Sequence, residues 1–458
     1  MLFNDLLDRF VDESPVGVMV RGLMERALAP ERLDALFEKT AQRQYTRELL
    51  FSTVVDVMAL VVCRVKTSVH AAYQARKNEI GVTVRALYDK LKCLEPEISA
   101  ELVRHTAARL EPIIRRVKGT KPPLLTGYRT KILDGNHWAG TERRPKILRD
   151  VAAGCLPGQT LVVLEPETGL ASDVICCEDG HTQERKLVDL IWSMVEERDL
   201  WIADRNLCTT KFLFGLAKRN ACFIIRQHAS TLRWTRESKR RRAGRTKTGV
   251  LYERTLWLED EEGNEIEVRQ IELVLDKPTR DEEKTIRLLT NLPVKVRAAK
   301  VAELYRERWT IEKLFHSMTE LLRCEVNALA YPKAALFGFC VALAASNLLA
   351  TVKAALRATH KRVNLDETLS DFYVADELAG TYRGMMIALP DSAWTHLAKM
   401  SDEEFAAWLI GVAQRVRLDR YPKSRRGPKK PRQRRTRYTK AKHIATARLI
   451  ARASTHIG

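Results

Sequence analysis

The apolar period of this chain changes near residue 125, and that change limits the folds open to it. Before it, apolar residues recur at three- and four-residue steps, as in Leu49, Leu50, Val54, Val55, Met58 and Val62. This is the spacing of helices with one buried face. Lys121-Pro122-Pro123 and Gly127 then interrupt the pattern. Beyond them Thr130 to Asp134 reads as a strand, and Gln159 to Pro166 and Gly169 to Cys177 read as the arms of a hairpin. A helix over 184–197, a buried strand over 200–204, a helix over 209–219 and a strand over 221–226 follow.

Strand, hairpin, helix, strand, helix, strand is the order of a ribonuclease-H-like mixed sheet, although other α/β folds share it. From Ser230 to about Lys284 the chain turns basic and then β-rich, with Val250 to Leu258 and Glu265 to Leu275 flanking a turn. We read this as a β insertion in an α/β domain. Helical spacing returns at Lys295. Within the first 125 residues, Thr83 to Leu91 fits the recognition helix of a helix-turn-helix with Thr83 as its cap, but any amphipathic helix looks the same.

The net charge of +20 is carried by two segments. Residues 415–443 hold 14 Lys and Arg against Asp419, and residues 233–247 hold 8 against Glu237, so +13 and +7 account for the whole excess. Charge concentrated in this way points to a polyanion, since basic clusters gain affinity by releasing counterions condensed on nucleic acid. Nine scattered cysteines without a C-x2-C pair argue against zinc and against a disulfide framework. Ala334 to Val352 is apolar enough to imitate a membrane span, but its Ser346, Asn347 and many small residues favour a buried core helix. The N-terminus lacks the basic start of a signal peptide, so a cytoplasmic, nucleoid-associated location without membrane contact is expected.

Two aspartates close strands, Asp134 before Gly135-Asn136 and Asp204 before Arg205-Asn206. Ligands at the carboxyl ends of neighbouring strands converge, although an aspartate there is more often a cap or turn former. In the helical run from Leu304 to Phe315, Tyr305, Arg308 and Glu312 stand at i, i+3 and i+7, hence on one face. Trp309, Leu304 and Phe315 are then expected to pack inward.

These residues carry a resemblance. The chain resembles insertion-sequence DDE transposases, whose third carboxylate lies in a Y-x2-R-x3-E-x6-K signature. Tyr305, Arg308 and Glu312 match it, and Asp134 and Asp204 match the first two carboxylates in order. The long gap between Asp204 and Glu312 holds a β insertion, as in that family. The resemblance implies that Asp134, Asp204 and Glu312 bind two Mg2+ ions, with Mn2+ as a substitute. Hard carboxylate oxygens are what such ions take, and a pair of them activates water and steadies the leaving oxygen in phosphodiester cleavage. The signature's last position is Thr319 rather than Lys, which leaves open whether this copy is active. Arg323, one turn on, is the candidate to reach a phosphate in its place. His316 shares the face but is a poor ligand beside hard carboxylates.

The resemblance also implies the domain plan and the partners. Residues 1–125 form a helical DNA-binding domain, 126–229 and 285–360 the two parts of the catalytic core, 230–284 the β insertion, and 361–458 a helical and basic C-terminal region. Double-stranded DNA, as element ends and target, is the substrate, with a homodimer pairing two ends and no organic cofactor. Tyr305 and Arg308 position phosphates. Trp234, beside Lys239, Arg240, Arg241 and Arg242, is the candidate to hold a base flipped out near the cut, with Trp257 as the alternative or as core. Arg425, Arg426, Lys429 and Lys430 of the basic tail add phosphate contacts. The competing functions are a structure-specific nuclease on the same fold and a non-catalytic DNA-binding regulator.

Overall fold

The computed structural model describes every residue except Met1, Tyr45, Arg47, 138–145, Asp150, Ala152, 229–231, 280–281, 327–328, 425–442 and 456–458. Helices occupy the chain from Leu2–Glu13 to Pro96–Arg116. The helix Val84–Cys93 opens as its sequence requires, with Thr83 Oγ1 accepting from Ala86 N at 3.3 Å. Leu87 and Leu91, one turn apart, are its buried residues.

The strands are β1 Arg129–His137, β2 Gly154–Leu156, β3 Gln159–Glu165, β4 Leu170–Cys177, β5 Asp199–Ala203 and β6 Cys222–Arg226. They continue with β7 Arg233–Glu237, β8 Arg241–Thr246, β9 Gly249–Glu259, β10 Glu265–Leu275, β11 Thr285–Thr290 and β12 His443–Ala445. Ten of them make one sheet in the order β4-β3-β1-β5-β6-β11-β10-β9-β7, with β8 also paired to β9. β1 runs antiparallel to β3 and parallel to β5, and β5 runs parallel to β6. The insertion therefore does not form a sheet of its own. β11 joins it antiparallel to β6, so the same sheet runs on through β10 and β9.

Period-two alternation divides the central strands between two cores. Ile132, Val162, Leu200, Ile202 and Ile224 face the large helical side. Leu133, Leu161, Trp201, Ala203 and Phe223 face a smaller core with Phe212, Leu213 and Leu216 of the helix Thr210–Ala217. Buried on both faces, β5 is apolar from Leu200 to Ala203 after the ion-paired Asp199.

The long helix Pro332–Thr359 has the length and apolarity of a membrane span, yet 83% of its most apolar 18-residue window is buried in the fold. Asn347, the polar residue that breaks its apolar run, is used: Oδ1 accepts from Ala171 N at 2.8 Å and Nδ2 donates to Ala171 O at 3.0 Å, which fastens the helix to β4. The N-terminal helices and the C-terminal helices Asp371–Ala388 and Asp402–Ala413 share the same core. Gly22, for example, lies so close to Trp408 that a Cβ there would stand 2.3 Å from the indole.

Three local expectations fail. Asp134 does not close the first strand, because β1 pairs on with β3 through Gly135, Asn136 and His137. The helix expected over 184–197 is instead a pair of short 3-10 helices, Glu184–Lys186 and Val188–Met194. Their buried Val188 and Ile191 stand three residues apart, the 3-10 period. The helix expected to run unbroken through the signature is divided into Ala298–Arg306 and Trp309–Leu321.

Candidate active site

The register places the two aspartates side by side. β1 and β5 pair through Leu133↔Ala203, so Asp134 and Asp204 follow at the same level on adjacent parallel strands. Asp134 Oδ1 accepts from Gly135 N at 3.0 Å, and Asp204 Oδ1 accepts from Asn206 N at 2.8 Å. Asp204 is thus also the cap that its position at a strand end commonly implies.

The break in the third element explains how Glu312 arrives. Glu307 N bonds Leu304 O, Arg308 N bonds Tyr305 O, Thr310 N bonds Glu307 O and Ile311 N bonds Arg308 O. These are three-residue bonds, and in such a tightened turn side chains at i and i+3 eclipse, so Tyr305 lies directly behind Arg308. Arg308 then forks between two carboxylates, Nη1 to Asp134 Oδ2 at 2.7 Å and Nη2 to Glu312 Oε1 at 2.5 Å. One guanidinium ties the third element to the first.

Burial and crowding raise Asp134. Desolvation, only partly offset by Arg308 and reinforced by Asp204, pushes Asp134 up to about 6. Burial pushes the Tyr305 hydroxyl up to about 12, so it stays a neutral donor.

A fourth carboxylate, absent from the sequence reading, completes the cluster. Glu184 is raised to about 7 by burial first and then by Asp204 and Asp134. Asn206 Nδ2 donates to its Oε2 at 3.4 Å. Gly135 is the residue that admits it, since a Cβ there would lie 2.1 Å from Glu184 Oε1. Nothing in the sequence separates Glu184 from an ordinary solvated acid at a helix start.

As they stand, no three His, Cys, Asp or Glu side chains among the described residues are arranged to hold one ion. Arg308 lies between Asp134 and Glu312. The donor set nevertheless suits a hard divalent cation in chemistry: crowded carboxylate oxygens whose charge burial penalises.

Other expected contacts are placed differently. Trp309 was expected inside and is 58% exposed, because the tightened turn directs Ile311 inward instead. The helix ends at Leu321, so Arg323 is not on its face; its guanidinium bonds Thr67 O and its backbone N bonds Val62 O at 2.8 Å. Thr319 Oγ1 donates to Phe315 O at 3.0 Å, and Arg64 Nη2 donates to Thr319 O at 3.3 Å. A guanidinium from the N-terminal region thus bonds the backbone of the position at which the signature has its Lys. His316 is exposed.

In the insertion, Arg240 pairs with Glu272 at 2.7 Å while lying over Tyr252, and Arg241 pairs with Glu253 at 3.6 Å. All four residues of the Lys239–Arg242 cluster are exposed, but two of the four have acidic partners on neighbouring strands. Trp257 is not core: it lies on the face opposite Leu256 and Leu258, half-buried under Arg236 at 4.5 Å. Trp234 is 40% exposed on β7, next to the bulge before Arg236. It lines a groove of about 310 Å³ with Arg205, Arg226, Arg254 and Arg287, and Arg205 follows Asp204 directly. Arg425, Arg426, Lys429 and Lys430 lie outside the described residues.

Residues 129–348 match the family model described as the transposase DDE domain, a segment that begins at β1 and contains Asp134, Asp204 and Glu312. No curated protein matches the chain. Among solved structures, the chain is similar to a piggyBac transposase in a synaptic complex with hairpin DNA, with 9% identity and a TM-score of 0.37, over 88% of this chain and 86% of that one.

Proposed function

We propose that this protein is a DDE transposase that cuts DNA at the ends of a mobile element and joins the freed 3′-hydroxyls to target DNA. The observation that carries this reading is Asp134 standing level with Asp204 on the neighbouring strand and joined to Glu312 through Arg308, inside the segment that matches the transposase DDE domain. The strand order β4-β3-β1-β5-β6, with its antiparallel hairpin and two parallel neighbours, supports a ribonuclease-H-like core that β7 to β10 extend.

Asp134, Asp204 and Glu312, with Glu184 beside them, are the residues that would hold two divalent ions, Mg2+ first. Bound there, the ions supply an activated water and a stabilised leaving oxygen. The chain's own part is positional. Arg308 holds the carboxylates in place until DNA arrives and then has a phosphate as an alternative partner for its guanidinium fork. Neutral Tyr305 donates to the same phosphate region. Arg64 supplies the cation missing at Thr319. Two copies on two ends, as a homodimer, and a cytoplasmic location complete the reading.

The test is incubation of the purified chain with duplex DNA carrying the inverted repeats that flank its gene, plus Mg2+. Cut ends joined to a second duplex support the reading. Cutting without joining leaves a nuclease, and binding without cutting leaves a regulator.

Trp234, which borders the groove next to Asp204, is the proposed holder of an unstacked base. Trp234→Ala should slow second-strand processing about ten- to a hundredfold and spare the first nick, while Trp257→Ala should leave both steps near normal. A gel time course separating nicked from fully cut product distinguishes them, and equal slowing of both steps by Trp234→Ala would remove it from this role. Removing 425–442 should weaken binding to every duplex alike and reduce the salt slope by about 0.9 per lost phosphate contact. An unchanged slope means that the tail does not bind.

A further inference from the structure

The C-terminal segment returns to the carboxylate site. β12 pairs parallel with β2 through His443↔Gly154, Ile444↔Cys155 and Ala445↔Leu156. Ala445 and Thr446 are fully buried, and the helix Thr446–Thr455 follows. Arg448 Nε bonds Asp179 Oδ2 at 2.8 Å, and the other oxygen of Asp179 caps His181 N at 2.9 Å. The segment is thus a docked part of the fold.

Its first residue enters a groove. Gly154 leaves room for the His443 ring, since a Cβ there would lie 2.8 Å from the imidazole Cδ2. The ring is exposed on the wall of a groove of about 560 Å³. Glu184, Asn206, His181, Arg185, Arg205 and His228 line the same groove, and Arg205 follows Asp204 directly. The buried Nδ1 of His228 has no hydrogen-bond partner among the described residues. Imidazole and guanidinium N–H groups lining one groove of this size suit the non-bridging oxygens of a phosphodiester.

We infer that this groove is a DNA-backbone subsite next to the cut, and that His443, brought there by the β2–β12 pairing, is one of its positioning residues. The inference rests on the transposase reading above. Neither the family resemblance nor the sequence pattern assigns a role to His443, because only the parallel pairing brings it to the groove.

The test uses the full chain and a 40-bp duplex, with histidine carbethoxylation by diethyl pyrocarbonate read by peptide mass spectrometry. Saturating duplex should protect His443 severalfold, while the exposed His396, outside the N-terminal domain, serves as internal reference. His443→Ala should weaken binding about three- to tenfold, the worth of a single exposed hydrogen bond, without lowering the unfolding temperature. That loss should shrink when the phosphates flanking the cut are replaced by neutral methylphosphonates, which a merely structural role would not produce. His443 modified equally with and without bound duplex would overturn the subsite. Failure of the wild-type chain to bind the duplex at low salt would instead overturn the transposase reading.

Discussion

Asp134→Asn, Asp204→Asn and Glu312→Gln should each lower metal-dependent cleavage by roughly 10³-fold or more while leaving duplex binding within about threefold. A ligand lost from a two-metal clamp forfeits several kcal/mol of transition-state stabilisation, and about 4 kcal/mol is already 10³-fold. Contacts to remote phosphates do not pass through these side chains, so affinity is spared. The amide replacements keep shape, which matters because Arg308 bonds both Asp134 and Glu312. Asp134→Asn leaves Arg308 paired with Glu312, and Glu312→Gln leaves it paired with Asp134. Neither variant therefore strands a buried guanidinium, and both should unfold near the wild-type temperature. Single-turnover cleavage and a mobility-shift titration on the same preparations separate the two effects. Near-normal turnover in one variant removes that residue from the site, and loss of binding in all three would mean that they hold the fold or the DNA rather than the ions.

The residues of this site differ in how far their sequence announced them. Asp204 was legible because the buried β5 ends just before it, and Asp134 was legible as an acid on the first strand, although β1 runs on past it to His137; parallel register then sets the two at one level. Glu312 was legible from spacing, although the helix was expected to be continuous and is not. The tightened turn at Glu307–Arg308 leaves no composition signal, since no Gly or Pro occurs there. The same turn turned Trp309 outward, against a pattern that put it inside. Glu184 and His443 were illegible for a different reason. Each reaches the site through a contact between distant segments, Glu184 over Gly135 and His443 over Gly154, and the glycine that permits it is an ordinary glycine in sequence. The basic run of the insertion was readable as charge but not as free charge, because Glu272 and Glu253, which pair with Arg240 and Arg241, come from neighbouring strands.

Glu184→Gln should make the ion-free protein more stable at pH 8 and flatten the pH dependence of its stability. Burial, with Asp204 and Asp134 nearby, raises Glu184 from 4.5 to about 7, so the folded protein holds this proton more tightly than the unfolded chain does. A carboxyl raised in this way contributes its stabilisation fully below about pH 4.5, and that contribution is lost as pH rises through about 7. After allowance for partial solvent contact, the difference between pH 5.5 and pH 8 is on the order of 1–3 kcal/mol. A glutamine has no charge to desolvate, so in EDTA the variant should lose markedly less unfolding temperature over that interval. Other raised carboxyls, such as Asp56, Glu165 and Asp173, are common to both proteins and cancel in the comparison. Added Mg2+ should reverse the order at pH 8, because an ion that binds only the folded state stabilises the wild type and has one ligand fewer in the variant. At limiting Mg2+, cleavage by the wild type should fall as pH drops below about 7, because protons compete with the ion for Glu184 and then for Asp134. Parallel melting curves for the two proteins in EDTA would show that Glu184 is not charged in this cluster, and an unchanged Mg2+ response would show that it does not help to hold the ion.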